Sequence, residues 1–190
     1  TEPATVELSA GDGLKEVYLH IRDASGMTVY AFDTITLDQT APSGYSAAID
    51  QSAINNANKA AISFTYSGAE VGTVYDYSLS SSGGGTSVSG SGTVAATSST
   101  ISGLDISALG DGTITLSFTL NDTAGNEGSA ATDTVSKDAT PPATPGTPAK
   151  TTAYINLAEY TGDVIITVAT SNAAAEAYTL ELLYNGASFS

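Results

Sequence analysis

The sequence predicts an all-β protein in which β-sandwich units of about 100 residues follow one another. Three observations predict it. Apolar and polar residues alternate over short stretches, the period of half-buried strands. Turn-forming residues interrupt these stretches at intervals of about 8–12 positions. Several short segments also recur near a spacing of about 100 residues, the signature of an internal repeat.

From the N-terminus, residues 1–37 supply strands like the last ones of a repeat, and "EVYLHIRD" alternates like a strand. In it, Val17, Leu19 and Ile21 fall on one face and His20 on the other, which makes this single histidine a solvated surface group. Further on, "AAISFTYS" places Ile62, Phe64 and Tyr66 together. "TVYDYSLS" places Tyr75, Tyr77 and Leu79 together, with Asp76 and Ser78 opposite. "TITLSFTL" turns Ile114, Leu116, Phe118 and Leu120 inward, with Thr and Ser outward. Gly68, "SSGGGTS" and "GDG" supply the turns between them. The helix-tempting pieces "AINNANKAA" (53–61) and "SNAAAEAY" (171–178) lack a convincing 3.6-residue period and read as loops or strand ends.

The repeat sets the domain plan. "GDG" at 11–13 returns at 110–112. Asp23 and Gly26 return as Asp122 and Gly125, Asp33-Thr34 as Asp133-Thr134, Asp38 as Asp138 and Pro42 as Pro142. "INNANKAAISFTY" (54–66) is echoed by "INLAEYTGDVIITV" (155–168), and "AEVGTVYDYSL" (69–79) by "AEAYTLELL" (175–183). Residues 1–40 therefore correspond to the C-terminal part of a repeat, 41–140 to one complete repeat, and 141–190 to the N-terminal part of the next. The alternative is a single non-repetitive β-protein, against which the ordered series of matches speaks. About seven short strands per unit is the count of an immunoglobulin-like sandwich.

Composition narrows the function. The 190 residues contain no Cys and no Trp, which excludes a disulfide framework, zinc–thiolate sites and thiol chemistry. Twenty Asp and Glu face five Lys and Arg, a formal charge of −15. That argues against nucleic acid and anionic membranes as partners and for cations or plain solubility. No apolar run approaches the roughly 20 residues of a membrane helix. No signal peptide is visible, and "TEPATVEL" reads as the start of a segment taken from something longer.

The run "ALGDGTITLSFTLNDTAGNEGSAATDTVSKDATPP" contains Asp111-Gly112, Asp122-Thr123-Ala124-Gly125-Asn126 and Asp138-Ala139-Thr140-Pro141-Pro142. It resembles the C-terminal half of bacterial Ig-like (BIg) repeats of the extender regions of RTX-type giant adhesins and related large surface proteins. "QTAP" at 39–42 resembles the family's linker, and "INLAEYTG" its first-loop segment. Two departures stand out. "RDASGM" lacks the Asn after Gly26, and "SSSGGGTSVSGSG" takes the place of the usual mid-domain hairpin. The resemblance implies a secreted or cell-surface location and calcium at the junctions between repeats.

The sandwich plan gives the acids a pattern of their own. With the chain entering at one pole and leaving at the other, Glu70 lies in the B–C loop and Asp122 and Asn126 in the F–G loop, beside Asp38 of the incoming linker. Asp111 in the E–F turn and Asp138 in the outgoing linker lie at the other pole, where Glu176 of the following repeat joins them. Carboxylates gathered in this way repel unless a cation joins them. Ca²⁺ accepts six to eight oxygen ligands in flexible geometry, and extracellular modules bind it at about 10⁻⁴–10⁻³ M. The competing explanation is turn chemistry, in which Asp and Asn occupy such loops to accept local backbone hydrogen bonds.

Other signals are weak. There is no G-x-S-x-G elbow, and "GSGTVA" (90–95) mimics a phosphate-binding fingerprint with nothing helical after it. Tyr45, Tyr75 and Tyr77 could form a sugar-stacking platform, although core packing suits the last two better. The expectation is thus a non-enzymatic spacer or extender segment, rigidified by calcium, whose partners are the neighbouring repeats. The alternative is a glycan- or protein-binding module, which exposed aromatics clustered on one face would favour. The two incomplete repeats further suggest head-to-tail self-association.

Overall fold

The computed structural model describes residue 5 and residues 7–144, 183–184 and 187–188. The chain divides into two units, Thr1–Ala139 and Thr140–Ser190. Among the described residues all regular structure is β and no helix is long and apolar enough to cross a membrane.

The first unit begins with a two-stranded antiparallel sheet, β1 (Gly13–Arg22) and β2 (Thr28–Leu37). Seven strands then form a sandwich: β3 (Ser46–Ile49), β4 (Ile62–Ser67), β5 (Val74–Ser81), β6 (Val88–Thr93), β7 (Ser98–Leu104), β8 (Gly112–Asn121) and β9 (Ala131–Lys137). One sheet has the order β3-β4-β7 and the other β6-β5-β8-β9, every neighbouring pair antiparallel. In immunoglobulin lettering these are A-B-E against C′-C-F-G. The all-β, immunoglobulin-like sandwich expected from the alternation is therefore what the residues build. In the second unit the described residues form a short ladder of β10 (Leu183–Tyr184) against β11 (Ala187–Ser188). Glu176, the segment 171–178 and nearly all of the expected third repeat lie outside the described residues.

The predicted strand faces are those that meet in the core. Ile62, Phe64 and Tyr66 of β4 oppose Leu79 of β5 and Ile114, Leu116, Phe118 and Leu120 of β8, all buried. Phe118 is central, with ring centroids 5.3 Å from Tyr66, 5.8 Å from Tyr75 and 6.0 Å from Phe64. Each such aromatic removes a large apolar area from water and gains further from the offset ring geometry. Loops close the ends: Ile54 of the β3–β4 loop and Ile106 and Leu109 of the β7–β8 loop are buried. The helix-tempting segment 53–61 is a loop of turns, as expected, and its Ile54 bridges in parallel to Lys137.

The Ser/Gly-rich segment that departs from the family pattern still forms a hairpin, for β6 pairs along the whole of its length with β5. Glycine is a poor strand former, but here its missing side chain has a use. Tyr75 lies opposite Gly92 and Tyr77 opposite Gly90. A Cβ on Gly92 would sit 2.7 Å from Tyr75 Cζ and one on Gly90 2.8 Å from Tyr77 Cζ. The rings lie over bare backbone, fill the space of two side chains and reach the core, where Tyr77 meets Phe64 edge-on at 5.1 Å. Both tyrosines therefore serve packing.

Candidate functional site

Chain direction places the two ends of the sandwich. β3 and β9 run side by side, joined where Asp133 Oδ2 accepts the Ile49 N–H at 2.8 Å. The chain thus enters beside Tyr45 and the β8–β9 loop and leaves beside Ile54 and the β7–β8 loop.

At the entry pole the β8–β9 loop is organised by Asp122. Its Oδ1 accepts the backbone N–H groups of Ala124 and Asn126, both at 2.9 Å, and its Oδ2 accepts the Asn126 side-chain amide at 2.8 Å. The Asn126 side chain, then the backbone donors, hold the Asp122 carboxyl below the usual carboxylate range. Gly125 closes the turn at a φ of 92°, a left-handed conformation that favours glycine. The Asn126 amide also donates to the Asp38 carbonyl at 3.1 Å, which fastens the incoming linker to the loop. Tyr45 anchors the next stretch. Its ring packs edge-on against Phe118 at 5.9 Å, while its hydroxyl donates to the Ser129 carbonyl at 2.6 Å and accepts the Leu120 N–H at 3.3 Å. Tyr45 is therefore bound into the joint. Glu70 is exposed in the β4–β5 loop of the same pole.

The linker is gripped from the other side as well. Asp12, in the turn before β1, accepts the Gln39 N–H at 2.8 Å and the Thr40 hydroxyl. The Thr40 hydroxyl, followed by the Gln39 N–H, holds the Asp12 carboxyl below its usual range. Residues 38–40 are thus held by one acid from the preceding strand pair and one amide from the following sandwich.

At the exit pole the same device returns. Asp111, the repeat partner of Asp12, accepts the Ala139 N–H at 2.9 Å, the residue equivalent to Gln39. Here a cation is built in: Lys137 Nζ donates to Asp111 Oδ1 at 2.7 Å, and Lys137 is buried, with 4% of its surface exposed. The Asp138 N–H donates to the Ile54 carbonyl at 2.9 Å, so the first linker residue is tied to the β3–β4 loop. Sequence reasoning missed Lys137, although it occupies an inward-facing position of β9, two residues after buried Val135, where a charge demands a partner.

The expected metal ligands are therefore distributed as follows. Asp38, Asp122 and Asn126 come together through the Asn126 amide, and Asp111 meets Lys137. Glu70 and Asp138 each sit at the pole to which the sequence assigned them. Among the described residues no group of three or more His, Asp or Glu side chains forms a cage for an ion. Asp23 repeats the Asp122 turn: its Oδ1 accepts Ser25 N–H at 3.0 Å, Ser25 Oγ–H at 2.8 Å and Met27 N–H at 2.8 Å.

The strand pair β1–β2 adds a surface that the sequence did not single out. On the face bearing His20, the rings run Phe32–Tyr18–His20–Tyr30 with centroid separations of 5.8, 6.4 and 6.0 Å. All four residues are exposed. On the equivalent face of β8, Ser117 and Thr119 stand where Tyr18 and His20 do.

No protein-family model and no curated protein sequence matches the chain. Among solved structures it is similar to the crystal structure of a tetra-tandem repeat in the extending region of a large adhesion protein. The identity is 26% over 67% of this chain and 32% of that one, with a TM-score of 0.42. This chain thus corresponds to about a third of the length of that structure.

Proposed function

We propose that the chain is a structural extender segment of a secreted or cell-surface bacterial adhesin, a run of immunoglobulin-like repeats that sets distance and direction rather than catalysing a reaction. The observation that carries this reading is the doubly held linker. Asp12 from one side and Asn126 from the other fix three consecutive residues, Asp38 to Thr40, of a segment that would otherwise bend freely. The chain enters and leaves the central sandwich at opposite poles, beside the β8–β9 loop and beside the β7–β8 loop. The adhesin context rests on the resemblance of the D-G turn, D-x-A-G-N loop and D-x-T-P linker to bacterial Ig-like repeats. Small-angle scattering tests the joint. Asn126→Ala combined with Asp12→Ala should broaden the distribution of dimensions in solution, and an unchanged profile would remove the support of the clamp.

We propose calcium as a further stiffener at the entry junction, where Asp38, Glu70 and Asp122 lie on the linker and two loops of one pole. Asp111 has Lys137 as its cation, so the exit pole has less need of an ion. Thermal unfolding in EDTA, millimolar Ca²⁺ and millimolar Mg²⁺ decides the matter. A calcium-specific rise that disappears in Asp122→Ala supports the metal, and identical melts leave hydrogen bonding as the sole stiffener.

A second reading, a glycan- or protein-binding module, is favoured by the exposed Tyr18–His20–Tyr30–Phe32 face. Flat exposed rings suit stacking against apolar sugar faces. Titration of tyrosine fluorescence with soluble glycans, repeated on Tyr18→Ala and Tyr30→Ala, tests it.

A further inference from the structure

We infer that the outward face of β1–β2 is a binding strip for an extended, uncharged, β-linked polysaccharide. This rests on the binding-module reading above and narrows it to one ligand class. Aligned on the two "GDG" turns, Tyr18 stands at the position of Ser117, and aligned on Asp33 and Asp133, Phe32 stands at that of Thr132. Each is a directly opposed cross-strand pair, Tyr18 with Phe32 and Ser117 with Thr132. One framework thus carries hydroxyls in one repeat and rings in the other. Both pairs point away from the apolar stripe of their own strands, toward the side that in the central sandwich faces solvent. The exposure of the rings therefore follows from their place in the repeat: Tyr18 is 55% exposed, Phe32 63% and Tyr30 71%. The core of a repeat lies behind the opposite face, so packing within the sandwich does not account for them.

The strip is ordered along the strands. The ring pairs Tyr18–Phe32 and His20–Tyr30 occupy its middle, and hydrogen-bonding pairs close its ends, Glu16–Thr34 at one and Arg22–Thr28 at the other. Tyr18 and Phe32 lie 31° from parallel at 5.8 Å, which makes them the stacking floor. The Tyr18 hydroxyl donates to Glu16 Oε2 at 2.9 Å, which steadies the ring and sets a carboxylate beside it to accept sugar hydroxyls. Size and charge select the occupant. Three two-residue steps make the strip roughly 20 Å long, and two strands make it about 10 Å wide. The resulting area of about 200 Å² is far below the roughly 800 Å² that each side of a stable protein interface buries. It suits a chain of a few sugars. Equatorial β-linkages give a straight ribbon with C–H faces, which lie on rings, and hydroxyl edges, which the end pairs meet. Glu16 and Arg22 balance each other on the strip, while the chain as a whole carries −15 and repels a polyanion.

The test is affinity electrophoresis of the full chain in native gels containing hydroxyethyl cellulose, glucomannan, dextran or alginate. The first two are neutral and β-linked, dextran is neutral and α-linked, and alginate is acidic. The wild-type chain should be retarded by a neutral β-linked gel and not by alginate. Tyr18→Ala and Phe32→Ala should each weaken the retardation about tenfold, the usual worth of a stacked ring. Tyr18→Phe should keep most of it, and Ser117→Ala, on the equivalent face of β8, should change nothing. Near-ultraviolet dichroism of Tyr75 and Tyr77 reports that the sandwich of each variant is intact. A chain that neither β-linked gel retards, or ring variants that bind as the wild type does, would overturn the inference. Retardation by dextran or alginate alone, lost in the same variants, would overturn the ligand class and leave a binding module in place. The scattering test of the linker clamp is unaffected by any of these results.

Discussion

The β1–β2 and β8–β9 pairs are the same two-strand unit in two different surroundings. Both follow a G-D-G turn, both pair antiparallel, and both turn through an Asp that accepts N–H groups two and four residues on. Both also clip the outgoing linker with the turn Asp, Asp12 on Gln39 and Asp111 on Ala139. Yet the apolar stripe of one is buried and that of the other is open to solvent. The difference shows that turns, register and clamps are local properties, while burial comes from strands supplied elsewhere in sequence. It also separates the surfaces by chemistry. The outer face of β8 carries Ser and Thr, as a solvated face should, whereas that of β1 and β2 carries four rings.

The largest test of this comparison is a matched truncation. Phe118→Ala should destabilise the sandwich by about 3–5 kcal/mol, the usual cost of emptying a packed aromatic site. Leu19→Ala at the equivalent position should change the stability of the monomeric chain by less than about 0.5 kcal/mol, as at other surface sites. Urea unfolding measures both, and equal costs would mean that the two faces are equally covered.

Next comes the pair of turn acids. Asp111→Ala leaves the buried Lys137 ammonium without its carboxylate. It should cost roughly 3 kcal/mol, at the low end for a broken buried pair because Asp111 is partly exposed. Asp111→Ala with Lys137→Met should recover much of that loss, since an apolar side chain needs no counter-ion. Asp12→Ala, with no buried lysine behind it, should produce a much smaller shift in the melt.

A smaller effect distinguishes Asn126 from Met27, its counterpart in the first turn. Asn126→Ala removes the amide that joins Asp122 to the Asp38 carbonyl and should cost about 1 kcal/mol. It should also speed proteolysis within 38–42, and an unchanged cleavage rate would show that Asp12 alone holds the linker.

The smallest effect is a response to acid that both turns share. Asp23 and Asp122 each have a carboxyl held below the usual range, the former mainly by the Ser25 hydroxyl and the latter mainly by the Asn126 amide. A depressed folded-state value contributes stability that is complete above the unfolded carboxylate value of about 3.9 and is lost as pH falls through the folded one. The melting temperature should therefore decline below about pH 4. Carboxyl chemical shifts should report both groups titrating below a free aspartate, and a normal titration at Asp23 would break the likeness of the turns.

Much of this was legible in advance because it depends on short-range pattern. Alternation in "ISFTY" and "TITLSFTL" marked the residues that are now buried, and Asp-x-x-Gly marked the turns. The role of the acids was less legible. Their clustering in loops suits an ion and suits turn chemistry equally well, and only coordinates show Asp122 bound to its own loop. β6 was missed because three of its six residues are Ser or Thr and two are Gly, and its pairing depends on tyrosines from another strand.

The sequence by itself determined the repeat, the strand phase, the turn positions and the absence of thiol chemistry, because each is encoded within a few residues. Tertiary structure decided which copy of the strand pair has its apolar face covered, that Lys137 meets Asp111 across 26 positions, and that Asn126 reaches Asp38 across 88. The physical reason is one of range. Periodicity and turn propensity act between neighbours along the chain, whereas covering a face or pairing a charge requires groups that only the completed packing brings within a few ångströms.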